Sequence, residues 1–147
     1  MKSYIHKWHT RYLAMCNHVG TWSKDPGTKV GAVIVNSDNK IVSTGYNGFP
    51  AGMDDRRMID RDFKLRHVVH AEMNAIFNAR CDIRGATLYI SHPPCPQCAK
   101  LVNAAGIKRV LWIQDDEFAD RWNSAESEEV FSECGVVFSK VKLEDIN

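Results

Sequence analysis

The chain has 147 residues, 44% of them hydrophobic and 25% charged, which are ordinary proportions for a globular protein with one hydrophobic core. The formal net charge is +1, from 19 basic and 18 acidic residues, so no global charge attracts nucleic acid, and we expect no nucleic-acid partner. The cysteines are odd in number, five, and include one close pair in metal-ligand spacing, which argues against a disulfide framework and for a reducing compartment. The sequence shows no signal-peptide core or membrane span, so we expect a cytoplasmic protein without a membrane partner.

The predicted elements begin with an amphipathic helix that ends at Gly20. Its apolar residues recur at spacings of three and four, at Ile5, Trp8, Tyr12, Met15 and Val19. A loop over residues 23–28 is rich in turn formers and leads to a β-branched run over residues 30–35. A turn at residues 37–39 and a second run over residues 41–46 complete an antiparallel hairpin.

A highly charged insertion over residues 53–67 follows, without clear periodicity. Beyond it, helices and strands alternate. Helices are predicted over residues 70–80, over residues 95–105, and from a capping Ser124 to Gly135. Strands are predicted over residues 86–91, 109–113 and 136–141. This order indicates parallel crossovers with helices on both faces of one sheet, within a single domain over residues 1–147.

Two short motifs contain the residues that indicate chemistry. Residues 70–72 are His-Ala-Glu, and after 21 intervening residues, residues 94–98 are Pro-Cys-Pro-Gln-Cys. One imidazole and two thiolates make three ligands for a tetrahedral zinc ion and leave the fourth position for water, as in catalytic zinc sites. This pattern is typical of zinc-dependent nucleobase deaminases. The predicted ligands of one zinc ion per chain are His70, Cys95 and Cys98.

Helix geometry sets conditions on both motifs. Residues two apart in a helix face nearly opposite sides, so His70 and Glu72 can face one metal only if His70 lies at the helix start. Pro96 suits the first helical position, which places Cys95 at the cap and Cys98 on the same helical face. The positive end of the helix dipole then stabilises both thiolates. Glu72 is predicted to be the catalytic residue that moves protons between water and substrate, without binding the metal.

Longer segments show a wider resemblance. Residues 23–26 are Ser-Lys-Asp-Pro, residues 29–35 are Lys-Val-Gly-Ala-Val-Ile-Val, and residues 45–50 are Gly-Tyr-Asn-Gly-Phe-Pro. Together with the two zinc motifs, these segments resemble the deoxycytidylate (dCMP) deaminase family from about residue 23 to residue 137. Free cytidine deaminases characteristically have cysteine at the position of His70, which argues against them.

The resemblance implies a three-layer α/β/α cytidine-deaminase-like fold, with a five-stranded mixed sheet and an N-terminal antiparallel hairpin. It implies zinc-dependent hydrolysis of dCMP to dUMP and ammonia, which supplies thymidylate synthesis. It also implies a homohexamer activated by dCTP and inhibited by dTTP, with Mg²⁺ bound to the effector nucleotide. On the matching positions, Asn47 would bind the substrate sugar or phosphate. The effector site would be shaped by Lys24, Tyr46, Gly48 and Pro50.

Other interpretations remain open. A nucleic-acid (tRNA) adenosine deaminase shares the zinc chemistry but would favour a basic face, which the net charge of +1 does not supply. A non-catalytic zinc module of the same fold would not need Glu72. A structural zinc site closed by His67 or His92, or a Cys-Pro-Gln-Cys redox motif, is less favoured because each leaves the His-Ala-Glu motif unexplained.

The insertion bears on phosphate recognition and on metal content. Its arginines are balanced by aspartates, and at least one arginine is predicted to meet a phosphate through its fork of donors. Some phage members of the family hold a second zinc ion with cysteines in this region, but residues 48–69 contain none. Trp8 and Trp112 are predicted to pack in the core or an interface. The remaining cysteines, predicted to be small buried hydrophobes, are Cys16, Cys81 and Cys134.

Overall fold

The structure, a computed structural model that describes residues 6–146, is built around one five-stranded mixed sheet. The strands are β1 (Gly31–Val35), β2 (Ile41–Tyr46), β3 (Thr87–Ile90), β4 (Arg109–Ile113) and β5 (Val137–Val141). The helices are α1 (Lys7–Gly20), α2 (Arg61–His67), α3 (Ala71–Asn78), α4 (Pro96–Ala104), α5 (Asp116–Arg121) and α6 (Ser124–Cys134). Short 3₁₀ helices cover Asp55–Ile59 and Leu143–Asp145.

The strand order is β2-β1-β3-β4-β5, with the hairpin at one edge of the sheet. Strand β1 is antiparallel to both β2 and β3, whereas β3, β4 and β5 run parallel to one another. The parallel pairs are joined by helical crossovers, as such pairs require. The predicted fold class is therefore confirmed. Ile5, the first residue of the predicted N-terminal helix pattern, lies outside the described residues.

Two hydrophobic clusters, one on each face of the sheet, produce the three layers. Successive strand residues face opposite sides, so each strand supplies both clusters. The face under α3, α4 and α6 buries Ile34, Ala75, Leu88, Val102, Trp112 and Phe131. The face under α1 buries Leu13, Cys16, Val33, Tyr89 and Leu111. Each fully buried large apolar side chain stabilises the fold by roughly 1.5–3 kcal/mol relative to an exposed one.

Two short helices are absent from the sequence prediction. In the insertion, the Asp60 carboxylate accepts a hydrogen bond from Phe63 N at 3.2 Å and caps α2, and the Phe63 side chain is buried. In the acidic run after β4, the Asp115 carboxylate caps α5 by accepting from Phe118 N at 3.1 Å. The insertion is therefore not irregular throughout. Helices of seven and six residues are too short to show a helical period, so caps and one buried aromatic ring each define them.

The start of α6 also differs from the prediction. Asn123, in the left-handed conformation with φ 57°, occupies the cap position, and Ser124 is the first helical residue. The hydroxyls of Ser124 and Ser127 instead donate to the carbonyl of Pro94, at 2.8 and 2.7 Å. The predicted serine cap is wrong because its hydroxyl holds the loop before Cys95. Helix α6 does end at a left-handed glycine, as predicted.

The cysteine prediction is correct for one residue of three. Cys16 is buried under β1, but Cys81 and Cys134 are exposed, one in the loop after α3 and the other at the last position of α6. Trp112 lies in the core, as predicted, whereas Trp8 stays partly exposed and stacks on Tyr12. No helix among residues 6–146 is long and apolar enough to cross a membrane.

Candidate active site

The two zinc motifs lie at the N-termini of two helices. His70 is the N-cap of α3 with extended backbone angles (φ −69°, ψ 154°), and Glu72 is in the first helical turn. Cys95 is the N-cap of α4 (φ −84°, ψ 163°), and Pro96 begins that helix. Both predictions of helix position are confirmed. The extended cap residues allow each motif to turn two side chains toward the same point, and both helix dipoles direct their positive ends there.

The three predicted zinc ligands converge on one point. His70 Nδ1 lies 3.3 Å from Cys98 Sγ and 3.5 Å from Cys95 Sγ. All three ligand atoms lie within 4.8 Å of one another. Tetrahedral bonds of about 2.0–2.1 Å to nitrogen and about 2.3 Å to sulfur place such atoms about 3.6 Å apart. The donor set and its spacing therefore fit zinc, and the imidazole faces the cluster through Nδ1.

A fourth protein ligand is not found among the described residues, where the cluster contains one histidine and two cysteines. The His67 ring stacks on Phe63, and its Nδ1 lies 2.8 Å from that residue's carbonyl oxygen. The His92 ring packs against Phe118, and its Nδ1 lies 2.8 Å from Ser91 Oγ. Both histidines proposed as closing ligands are thus engaged elsewhere, which leaves a position for water.

Electrostatics in the cluster favour a cation. The Cys98 thiol donates a hydrogen bond to the Cys95 sulfur, which lowers the pKa of Cys95 to about 4, while the same hydrogen bond and burial raise the pKa of Cys98. The Cys95 hydrogen bond also raises the pKa of His70. Burial raises the pKa of Glu72, and the nearby imidazole opposes that shift. A divalent ion would take the place of the shared thiol proton and hold both sulfurs as thiolates.

Close packing of α3 on β2 positions His70 and Glu72. The Asn74 side chain donates from Nδ2 to the Tyr46 carbonyl at 2.8 Å. Gly45, in the same strand, lies so close to the helix that an added Cβ would be 2.6 Å from Ala71 O. A side chain at this position would push the helix away from the sheet. The sequence motif that suggested a substrate loop therefore also sets the depth of the catalytic helix.

A pocket opens beside the cluster and is lined by His70, Glu72 and Cys95. Its other polar and aromatic walls include Asp25, Asn47, Arg61, Lys64, Arg121 and Trp122. The Trp122 ring meets the His70 ring edge-on, with centroids 5.5 Å apart. Asp25 belongs to the Ser-Lys-Asp-Pro motif, but the sequence alone predicted no role for it. The sequence also did not predict that Lys64, Arg121 and Trp122 line the pocket, because their positions depend on the short helices α2 and α5.

Asn47 lines this pocket and is buried. Its Nδ2 donates to Thr28 O at 3.0 Å and to Asp25 Oδ2 at 3.3 Å, so both amide protons are used. Its Oδ1 accepts from Val30 N at 2.9 Å and keeps a second lone pair. Any further hydrogen bond from this side chain must therefore be accepted, which suits a sugar hydroxyl better than a phosphate oxygen.

The four predicted effector residues lie outside the pocket lining. The Lys24 side chain is exposed and ion-paired, and the Tyr46 ring is half-exposed. Gly48 pairs with Val69 in a single β-bridge between the loop after β2 and the segment before His70. Pro50 is exposed.

A buried carboxylate beside one imidazole and two thiols, at paired helix N-termini on a three-layer α/β/α fold, defines the class of zinc-dependent hydrolytic deaminases. The comparisons with known proteins agree with this class. The chain belongs to the cytidine and deoxycytidylate deaminase family, because the family model described as "Cytidine and deoxycytidylate deaminase zinc-binding region" matches residues 6–114.

Individual relatives cover nearly the whole chain. An "uncharacterized deaminase in luxG 3'region" from Aliivibrio fischeri is 41% identical over 144 residues, which covers 95% of this chain and 97% of that protein. Human deoxycytidylate deaminase is 40% identical over 142 residues, covering 91% of this chain and 79% of the human protein. The crystal structure of dCMP deaminase from cyanophage S-TIM5 in apo form matches with a TM-score of 0.75 at 26% identity, covering 96% of this chain and all of that chain.

Proposed function

We propose that this hydrolytic deaminase converts dCMP to dUMP and ammonia. The observation that carries the proposal is the buried Glu72 carboxylate, which lines one pocket together with two arginines and with His70 and Cys95 of the three-ligand cluster. The similarity to human deoxycytidylate deaminase supports the choice of nucleotide.

The catalytic roles of the residues follow from their positions. His70 Nδ1 and the sulfurs of Cys95 and Cys98 would hold one zinc ion per chain, and a zinc ion in such a three-ligand site supplies Lewis acidity that lowers the pKa of a water molecule. The Glu72 carboxylate accepts a proton from the attacking water and delivers it to N3 of cytosine while the water oxygen bonds to C4. Glu72 then transfers the second water proton to the amino group. The C4–N bond breaks, its electron pair leaves with nitrogen, and ammonia departs.

The phosphate and the sugar would meet different parts of the pocket. Arg61 begins α2 and Arg121 ends α5, both line the pocket, and neither takes part in an ion pair within residues 6–146. Their planar forks of donors suit a 5′-phosphate. The remaining lone pair of Asn47 Oδ1 would accept a hydrogen bond from a deoxyribose hydroxyl.

The proposal extends to regulation on the basis of the family resemblance. We propose a cytoplasmic homohexamer that supplies dUMP for thymidylate synthesis, is activated by dCTP and inhibited by dTTP, and binds its effector together with Mg²⁺. Lys24, Tyr46, Gly48 and Pro50 would contribute to the effector site. Their position outside the pocket lining is compatible with an effector that binds while the substrate pocket is occupied.

Ammonia release from dCMP, dCTP, cytidine and a tRNA anticodon loop tests the proposal, each with zinc-loaded protein and with or without dCTP and dTTP. We expect the highest kcat/KM with dCMP, with dCTP raising it and dTTP lowering it. Preference for the tRNA would favour the adenosine deaminase alternative instead. Absence of turnover with every substrate would favour the non-catalytic zinc module.

A further inference from the structure

A buried ion pair outside the zinc cluster lies in the wall of the same pocket. Lys64 Nζ, from α2, is 2.9 Å from Asp25 Oδ1, and the two side chains are only 11% and 5% exposed. Among the ion pairs formed within residues 6–146, this is the one in which both partners are buried. Removing two charges from water is costly, and such pairs are weak evidence for stability. Its position in the pocket wall indicates a role in the pocket itself.

The Asp25 carboxylate has a structural role, because it organises the loop between α1 and β1. Asp25 Oδ1 accepts from Gly27 N at 2.7 Å, and Oδ2 accepts from Asn47 Nδ2 at 3.3 Å. Through these contacts the carboxylate holds the loop and the amide of Asn47, which faces the substrate pocket.

An isolated carboxylate at this position would conflict with an anionic substrate. Glu72 already supplies one acidic group to the pocket, and a second uncompensated anion would repel a nucleotide phosphate. Lys64 removes that conflict because its ammonium contacts the carboxylate directly. Helix α2 thus supplies the compensating charge from the insertion.

We propose that Lys64 is a positioning residue that sets the preference for a phosphorylated substrate, by neutralising and holding Asp25 in the pocket wall. The inference rests on the proposed function, since it requires a nucleotide monophosphate as substrate.

The test compares dCMP with deoxycytidine, which has the same base and sugar but no phosphate charge. The kcat/KM ratio of the two substrates is measured for wild type, Lys64→Met, Asp25→Asn and the double variant Lys64→Met/Asp25→Asn. A unit charge about 8 Å from the substrate phosphate, at an effective dielectric constant of about 20 to 40, changes the binding constant roughly six- to thirtyfold. We expect Lys64→Met to lower the preference for dCMP by that factor, through KM. Asp25→Asn should raise the preference, and the double variant should return it toward the wild-type value.

An exposed ion pair provides a matched control. Lys24 and Asp55, 3.1 Å apart and with side chains 73% and 42% exposed, join the same loop to the same insertion. Asp55→Asn should leave the substrate ratio unchanged because water screens this pair. Zinc content and thermal midpoint are measured for every variant, so that a folding defect is recognised.

The outcomes distinguish this inference from the proposed function. If Lys64→Met does not fold because Asp25 is left buried and unpaired, the raised ratio expected for Asp25→Asn and its return toward the wild-type value in the double variant still decide. Equal losses with both substrates, or an unchanged ratio in Asp25→Asn, would overturn the role of Lys64 alone. A zinc-loaded wild-type enzyme without activity on dCMP would overturn the proposed function and this inference together.

Discussion

Replacement of Glu72 by glutamine isolates the proton transfers from the metal site. The side chain keeps its volume, and Glu72 is not part of the three-ligand cluster. Because the residue is only 4% exposed, the replacement exchanges a buried carboxylate for a neutral amide of the same shape and leaves no cavity. We therefore expect zinc content to be retained and the thermal midpoint to stay within about 3 °C of wild type.

The expected loss of turnover follows from the number of proton transfers that Glu72 makes. A positioned acid or base contributes about 10² to 10⁴ in rate. In the proposed mechanism Glu72 serves both the ring nitrogen and the leaving group in each turnover, and burial keeps its carboxylate away from bulk water that could replace it. We expect kcat to fall by about 10³-fold or more, equivalent to about 4 kcal/mol of transition-state stabilisation. KM for dCMP should change little, because the proposed sugar and phosphate contacts do not involve Glu72.

The assay measures ammonia release from dCMP together with zinc per chain by atomic emission spectroscopy. Glu126→Gln, at an exposed position of α6, is the matched control and should keep wild-type kcat. If zinc-loaded Glu72→Gln retains more than about a tenth of wild-type kcat, the assignment of Glu72 as the proton-transfer residue is refuted.

Three further predictions concern metal content, helix packing and pH. Purified protein should contain one zinc ion per chain, and a measured value of two would contradict the single cluster found in residues 6–146. Gly45→Ala should lower zinc affinity and destabilise the protein by about 1–3 kcal/mol, because the new Cβ would displace α3; unchanged metal titration and thermal melting would refute this. Burial lowers the pKa of His9 from its ordinary value of 6.5. As the pH falls through this value, the unfolded chain therefore binds a proton more readily than the folded protein, and the free energy of unfolding falls. Denaturant titrations should therefore show a larger loss for wild type than for His9→Gln between about pH 7.5 and about pH 5, and equal losses would exclude this contribution.

The zinc cluster was predictable from the sequence because two motifs together specify its ligands and local rules determine the helix start at each motif. The proline after Cys95 marks a helix start, and the two-residue spacing of His70 and Glu72 requires an extended residue before a helix. Alternation of helical and strand patterns likewise determined the parallel crossovers and the edge hairpin. Each helix start and strand depends on neighbours within a few residues, whereas the convergence of His70 with Cys95 and Cys98, 25 and 28 residues away, was predicted from the combined motif.

The pocket walls were not predictable in the same way. Helices α2 and α5 form because an aspartate caps each of them and one phenylalanine in each is buried by distant segments. The hydroxyl of Ser124 has the residue type of a cap, but it bonds to the Pro94 carbonyl, a contact between residues 30 apart in the chain. The buried pair of Lys64 and Asp25 spans 39 residues. Such contacts arise only when the fold brings the segments together.

The proposed roles therefore assign the reaction and the recognition of the substrate to different parts of the chain. The atoms that would break the C–N bond lie at the starts of α3 and α4, which pack against the central sheet and have little freedom to change. The charges proposed to recognise the nucleotide lie on α2 and α5, short peripheral helices that supply Arg61, Lys64 and Arg121. We expect substitutions on these two helices to change the preferred substrate without disturbing zinc or Glu72. Substitutions at the starts of α3 and α4 should instead abolish deamination of every substrate.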